Sequence, residues 1–260
     1  MDTAVTGHNI LDFSTLVDSD LPRISIVVPS TVEQIEEVEQ CVETIGQLDY
    51  PNFEVLLVDN RRNLPAIDPL RTITNGRSWL RVVRESRPGI SAARNLGVAQ
   101  SDGDIIAFTD DDVRVDQKWL RAIGTCMALN PKLDAVTGLI LPGELESPTQ
   151  IWFERYYGGF AGQRTFTSST LKSDQRGPRL LRGSHVSIQN SADAEITRRS
   201  LYGIDAYGAG ANLALRSSAF ERISGFNVAL GVGTPARGRE DLAWRSTPLI
   251  DRKPSQLLRI

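Results

Sequence analysis

Four short apolar, β-branched runs recur through the first 110 residues, and the stretches between them carry helical periodicity. That alternation leaves few folds open. Ile24-Ser-Ile-Val-Val-Pro-Ser30 reads as a buried parallel strand ended near Pro29. Val32, Ile35, Val38, Val42, Ile45 and Leu48 then recur at spacings of three and four, with Glu33, Glu36, Glu37 and Glu39 between them, which predicts an amphipathic helix. Further strands are expected at Phe53–Asp59, Leu80–Arg84 and Asp104–Thr109, with a helix over Ile90–Gln100 before the last. Strand and helix in this order make right-handed βαβ crossovers, hence an α/β fold with a mostly parallel sheet covered on both faces. Ligands of such sheets sit at the carboxyl ends of the strands. Pro29-Ser30-Thr31, Asp59-Asn60 and Asp110-Asp111-Asp112 are the polar features that fall there.

Composition excludes several classes. Of 260 residues, 29 are Lys or Arg and 32 are Asp or Glu, so the formal charge of −3 argues against nucleic-acid binding through bulk positive charge. Residues 1–21 carry Asp2, Asp12, Asp18 and Asp20 and no Lys or Arg, the reverse of a signal peptide, and read as an arm. No apolar stretch approaches the roughly 18 residues of a spanning helix, so membrane association is expected only as peripheral contact. Two cysteines, Cys41 and Cys126, make no disulfide framework or zinc motif and fit a reducing, cytoplasmic setting. Cys41 lies on the apolar side of its helix and reads as core. His8 and His185 stand in neither a catalytic-triad nor a metal-ligand spacing.

Three adjacent carboxylates after an apolar strand repel one another unless solvent or a cation offsets the charge. Mg²⁺ or Mn²⁺ is the natural cation, taking one or two carboxylates and completing its shell with water and diphosphate oxygens. A solvated, helix-capping loop is the plain alternative, but Asp116 already stands at the expected cap before Gln117-Lys-Trp-Leu-Arg121.

The neighbouring segments sharpen this. Pro88-Gly-Ile-Ser-Ala-Ala-Arg-Asn-Leu-Gly97 and Asp102-Gly-Asp-Ile-Ile-Ala-Phe-Thr-Asp-Asp-Asp112 resemble the nucleotide-sugar half of family 2 glycosyltransferases, which have the GT-A fold. The resemblance continues through Gly208-Ala-Gly-Ala-Asn-Leu-Ala-Leu-Arg216, Gly225-Phe-Asn-Val-Ala-Leu-Gly-Val-Gly-Thr234 and Gly238-Arg-Glu-Asp-Leu242. It implies a donor-binding half over 22–142, a variable region over 143–206, an acceptor-side catalytic segment over 207–245 and an irregular tail over 246–260.

It also implies roles. Asp110 and Asp112 match the D-x-D pair that holds the metal on the donor diphosphate, with Asp110 and Asp111 beside the donor. Asp59 matches a contact to the base or ribose, although an Asp ending a strand also caps turns. Pro29, Ser30 and Thr31 match the loop beside it. Arg94 matches an Arg packed near the nucleotide, the alternative being a solvated helix cation. Gly97 reads as a point of close helix-to-sheet approach, and Gly210 and Asn212 fall on the strand that passes under the donor sugar. Asp241 matches the general base of an inverting displacement, supported by Glu240; both acids could equally start a helix.

The implied activity is metal-assisted transfer of a sugar from a nucleoside-diphosphate donor, UDP-sugar in the first instance, to an acceptor hydroxyl. Two alternatives stand beside it. A nucleotidyltransferase would share sheet, metal and nucleotide but carries a Gly-rich phosphate loop after its first strand, where this chain has Pro29-Ser-Thr-Val-Glu33. A shortened, catalytically weak nucleotide-binding relic is suggested by Pro248 and Pro254 after the acidic pair, by Arg239 in place of a usual Gly and by Asn227 in place of a usual Asp. Gly208-x-Gly210 and Gly231-x-Gly233 both lack the third glycine of a dinucleotide fingerprint. Ile151-Trp-Phe-Glu-Arg-Tyr-Tyr157 and Phe160 are expected to pack on the core, the alternatives being an acceptor platform or a membrane-facing helix. Residues 163–182, with five basic side chains against Asp174, read as a solvated loop that could also meet an anionic acceptor or a membrane surface.

Overall fold

The computed structural model describes residues 16–66, 68–157, 159, 168–174, 185–190, 196–200, 209–222, 225–236 and 256–259. Strands β1 (Ile24–Ser30), β2 (Phe53–Asp59), β3 (Leu80–Arg84) and β4 (Ile105–Phe108) pair in parallel in the order β3-β2-β1-β4. Ser30 and Asp59 are register partners at the carboxyl ends of β1 and β2. Helices α1 (Ile35–Ile45), α2 (Leu70–Thr74) and α3 (Ile90–Ala99) make the crossovers, and α4 (Trp119–Leu129) follows β4. Both faces of the sheet are covered because strand neighbours point to opposite sides. Ile24, Ile26, Val28, Val55 and Leu57 join α1, α2 and α4 in one core cluster. Val27, Leu56, Val58, Ile106 and Phe108 join Ala93 of α3 in the other. Gly97 lets α3 approach β1 closely: a Cβ there would overlap Val27 Cγ1 and lie 3.0 Å from Cγ2.

Beyond β4 the sheet becomes mixed. After β5 (Ala135–Thr137) come α5 (Pro148–Trp152), then β6 (Ser169–Asp174), β7 (His185–Asn190), β8 (Ile196–Ser200), β9 (Leu213–Arg216), α6 (Ser217–Arg222) and β10 (Gln256–Arg259). β9 runs antiparallel between β4 and β5, and β6-β7-β8 form an antiparallel meander.

Several expectations change at element ends. Helix α1 begins at Ile35 rather than Val32, because Val32 adopts φ 52°, a left-handed conformation that a β-branched side chain disfavours. α4 begins at Trp119 with Lys118 before it. Asp116 does not cap it but closes the turn leading in, accepting from Lys118 N at 2.8 Å through its side chain and from Trp119 N at 2.9 Å through its carbonyl.

The segment read as an irregular tail contains β10, which pairs parallel with β5 and antiparallel with β6. Four residues are too few to show a period, so only pairing with distant edges reveals them as a strand. Ile151, Trp152 and Tyr156, expected in the core, are exposed. The Trp152 and Tyr156 rings lie against each other, 5.9 Å apart, along α5 and the π-helical turn Phe153–Tyr157. Phe160 lies outside the described residues. Among those residues no helix is long and apolar enough to cross a membrane.

Candidate functional site

Parallel pairing brings the ends of β1, β2 and β4 together, and with them the polar residues that follow each strand. Ser30, buried at the end of β1, donates from Oγ to Asp111 Oδ2 at 2.5 Å and accepts from Val32 N at 2.9 Å. The positive φ of Val32 therefore sits in the loop whose shape sets the Ser30–Asp111 contact. Pro29 is buried inside β1, whereas Thr31 is exposed and donates to Glu33 Oε1 at 3.2 Å.

The triplet is not uniform. Burial pushes the Asp111 carboxyl up, the Ser30 hydrogen bond opposes that, and the charges of Asp112 and Glu33 add to it. Asp110 forms an ion pair with Arg94 Nη2 at 3.2 Å, and Asp112 is exposed. Behind them Cys41 donates from Sγ to Asp110 O at 3.5 Å; burial first, then the three aspartates, push its thiol up to about 12, which makes it a core thiol.

Arg94 is 1% exposed, so it is no solvated helix cation. A guanidinium so deeply buried needs a counter-charge, and Asp110 supplies it. Its guanidinium carbon lies over the Phe226 ring, 5.6 Å from the centroid.

Asp59, at the carboxyl end of β2, is held in a network of ion pairs. Its carboxylate is gripped from two sides by Arg61, Nε to Oδ1 at 2.9 Å and Nη2 to Oδ2 at 2.8 Å, and Arg61 N also donates to Oδ1 at 3.0 Å. Arg84 Nη1 reaches the same oxygen at 3.3 Å, and Asp68 holds the other side of Arg61 at 2.9 Å. Burial alone would raise the Asp59 carboxyl, but the Arg61 hydrogen bonds and the charges of Arg61 and Arg84 outweigh it and hold the carboxyl low. Next to it, buried Asn60 donates to the carbonyls of Glu85 and Arg87 at 2.9 and 2.7 Å and accepts from Gly89 N at 3.0 Å. It thereby pins the loop between β3 and α3 under the site.

Asn212 is likewise engaged by the fold. It accepts from Trp119 Nε1 at 2.9 Å and donates to Leu139 O at 3.0 Å, tying the 3-10 turn Gly210–Asn212 to the start of α4 and the end of β5. Gly210 is buried beside it. Gly208, Glu240 and Asp241 lie outside the described residues.

Sequence reading missed a polar stripe on α3. Ser91, Arg94 and Asn95 share a face at i, i+3 and i+4, and that face receives residues 225–236. Ser91 Oγ donates to Leu230 O at 2.9 Å, Ile90 N to Val232 O at 3.1 Å, and Asn95 exchanges two hydrogen bonds with the backbone of Phe226. The available signal was the stripe itself, polar residues recurring among Ala92, Ala93 and Gly97.

The donor set at the triplet suits a hard divalent cation. Asp110 and Asp112 flank Asp111, whose carboxyl is pushed up by burial first and by the charge of Asp112 besides. Among the described residues no three His, Cys, Asp or Glu side chains converge into a complete cage. One or two carboxylates, with the remaining positions left to water and phosphate oxygens, is the arrangement Mg²⁺ and Mn²⁺ favour.

The fold is shared with solved glycosyltransferases. A mannosyltransferase from Pyrobaculum calidifontis in complex with GDP-Man and Mn²⁺ superposes with a TM-score of 0.54 at 19% identity, over 86% of this chain and 51% of that one. Staphylococcus aureus TarS 1–349 in complex with UDP-GlcNAc gives 0.56 at 15% identity, over 92% and 56%. The fold is GT-A. Glycosyltransferase AglE of Haloferax volcanii is 30% identical over 160 residues, 59% of this chain and 48% of that protein. The glucosyl-dolichyl phosphate glucuronosyltransferase of the same organism is 26% identical over 139 residues, 52% and 44%. The chain thus spans about half the length of these relatives. The family model described as Glycosyl transferase family 2 matches residues 25–223, from the start of β1 past α6, so that both the donor-side motifs and β9 fall within it: the chain belongs to glycosyl transferase family 2.

Proposed function

We propose that this domain transfers a sugar from a nucleoside-diphosphate donor, a UDP-sugar, to an acceptor hydroxyl with inversion, and that Asp110 and Asp112 hold Mn²⁺ or Mg²⁺ on the donor diphosphate. The observation that carries the proposal is the division of labour in the triplet. Arg94 fixes Asp110, Ser30 fixes Asp111, and Asp112 stays exposed at the carboxyl end of the sheet. The P. calidifontis neighbour with GDP-Man and Mn²⁺ and the TarS neighbour with UDP-GlcNAc support the ligand class.

A bound divalent cation would supply charge stabilisation to the departing diphosphate. The chain's own residues do the rest. Ser30 holds Asp111 against the β1 loop. Arg94 holds Asp110 in place through Oδ1. Asp59, neutralised by Arg61, offers the nucleotide a rigid wall rather than a naked charge. Asp241 takes the proton of the acceptor hydroxyl as its oxygen bonds to the anomeric carbon and the bond to the diphosphate oxygen breaks. Glu240 supports that loop.

Calorimetry with UDP and GDP, in Mn²⁺ and in EDTA, tests the donor half. UDP binding is expected to depend on Mn²⁺, and Asp112→Asn to lose most of that dependence while unfolding at a similar temperature. Equal UDP affinity in Mn²⁺ and EDTA would sink the metal assignment, and preference for GDP would reassign the base.

A further inference from the structure

Phe226 is 131 residues from Asn95 and lies in the Gly225–Thr234 segment. The Asn95 side chain bridges both backbone polar groups of Phe226: Asn95 Nδ2 donates to Phe226 O at 2.9 Å, and Phe226 N donates to Asn95 Oδ1 at 2.8 Å. Gly225, at φ +83°, makes that approach feasible, because a Cβ there would come within 2.8 Å of Asn95 Oδ1. The ring so placed meets two residues that set the position of Asp110. It packs edge-on against Phe108, the last residue of β4, with centroids 5.3 Å apart at 86°, and it lies over the Arg94 guanidinium that pairs with Asp110.

From this geometry we infer that Phe226, fastened by Asn95, is a positioning residue of the donor site: it holds Arg94, and through Arg94 the Asp110 carboxylate, in the orientation that receives the metal-bound diphosphate. The inference rests on the function proposed above and adds a coupling to it. Residues 225–236 precede the acidic pair Glu240-Asp241 by a few positions, so one joint on α3 serves both the donor carboxylate and the chain leading to the acceptor side. A ligand that fixes Asp110 must then also steady residues 225–236, and loosening those residues must weaken the ligand, since coupling between two sites is reciprocal.

The test compares wild type, Phe226→Leu and Phe226→Tyr by calorimetry with UDP, in Mn²⁺ and in EDTA. Leucine keeps apolar bulk but has no ring face for Arg94, and tyrosine keeps the face. Phe226→Leu is expected to bind UDP about tenfold more weakly in Mn²⁺, the scale of a desolvated cation–π contact. Its weak binding in EDTA should not change, and Phe226→Tyr should regain most of the loss. A purely structural role would lower the unfolding temperature and leave the ratio of the two affinities alone.

Hydrogen exchange on the wild type covers the case in which Phe226→Leu does not fold. UDP with Mn²⁺, but not UDP with EDTA, should slow the Phe226 and Leu230 amides. Wild-type binding with no such slowing, or an unchanged affinity ratio in a folded Phe226→Leu, overturns this inference alone. Absence of Mn²⁺-dependent UDP binding in the wild type overturns the functional proposal, and the coupling with it.

Discussion

Replacing Arg61 by Met isolates the buried charge at the end of β2. In the wild type, the side chains of Arg61 and Asp59 are 9% and 4% exposed, and two parallel hydrogen bonds of 2.9 and 2.8 Å join them. Methionine fills similar volume but leaves the carboxylate without its main partner. Breaking such a pair from one side costs about 3–5 kcal/mol, because a desolvated charge remains uncompensated. Two features of this site pull the cost towards the lower end: Arg84 stays 3.3 Å from Oδ1, and the backbone N–H of residue 61 still donates. Roughly 3 kcal/mol is expected, which moves a urea midpoint by about 1 M for a slope near 3 kcal/mol/M.

The double variant Asp59→Asn/Arg61→Met removes the charge together with its partner and should recover more than half of the loss. The pH dependence gives an independent check. The Asp59 carboxyl is held low in the folded protein, so its stabilisation is complete above the unfolded value near 4 and is lost as pH falls through the lower folded value. In Arg61→Met that acid-side loss should shrink. A single variant within about 0.5 kcal/mol of wild type, where surface substitutions usually lie, would show that the pair contributes little and that Asp59 is free to serve the ligand.

Gly97→Ala should destabilise the protein by about 1–2 kcal/mol in urea: overpacking against Val27 costs more than the roughly 1 kcal/mol of helix propensity that alanine returns, and Val27→Ala should recover part of the loss. Asp111→Asn should raise the unfolding temperature of the metal-free protein at pH 7, because the folded state raises the Asp111 carboxyl and its ionisation therefore opposes folding above that value; the gain should fade as pH falls and the wild-type carboxyl protonates, and a lower temperature at pH 7 would contradict it.

The strands β1 to β4 and helices α1 and α3 were legible because their signals are local. Ile24 to Ser30 is a continuous apolar run, and Val38, Cys41, Val42 and Ile45 repeat at helical spacing within one window. The acidic triplet was equally legible, since adjacent like charges must be explained wherever they occur. Once the strands were recognised, parallel topology alone put Ser30, Asp59 and Asp110 at one edge.

What those residues do to each other needed the tertiary structure. Asp59 was visible as a strand-ending acid, but its neutralisation depends on Arg61 turning back across the chain and on Arg84 arriving from β3. Arg94 reads in the sequence as packed near the nucleotide, with a solvated helix cation as the alternative; only burial, with Asp110 as counter-charge and the Phe226 ring against it, decided between them. Val32 broke its helix because the Ser30 loop required a positive φ, and Gln256–Arg259 became a strand because β5 and β6 each had an edge to offer it. Periodicity and propensity are written over a few consecutive residues, so a sequence can display them. A contact between Asn95 and Phe226 is set by how whole elements pack, and it leaves no mark in either residue's own neighbourhood.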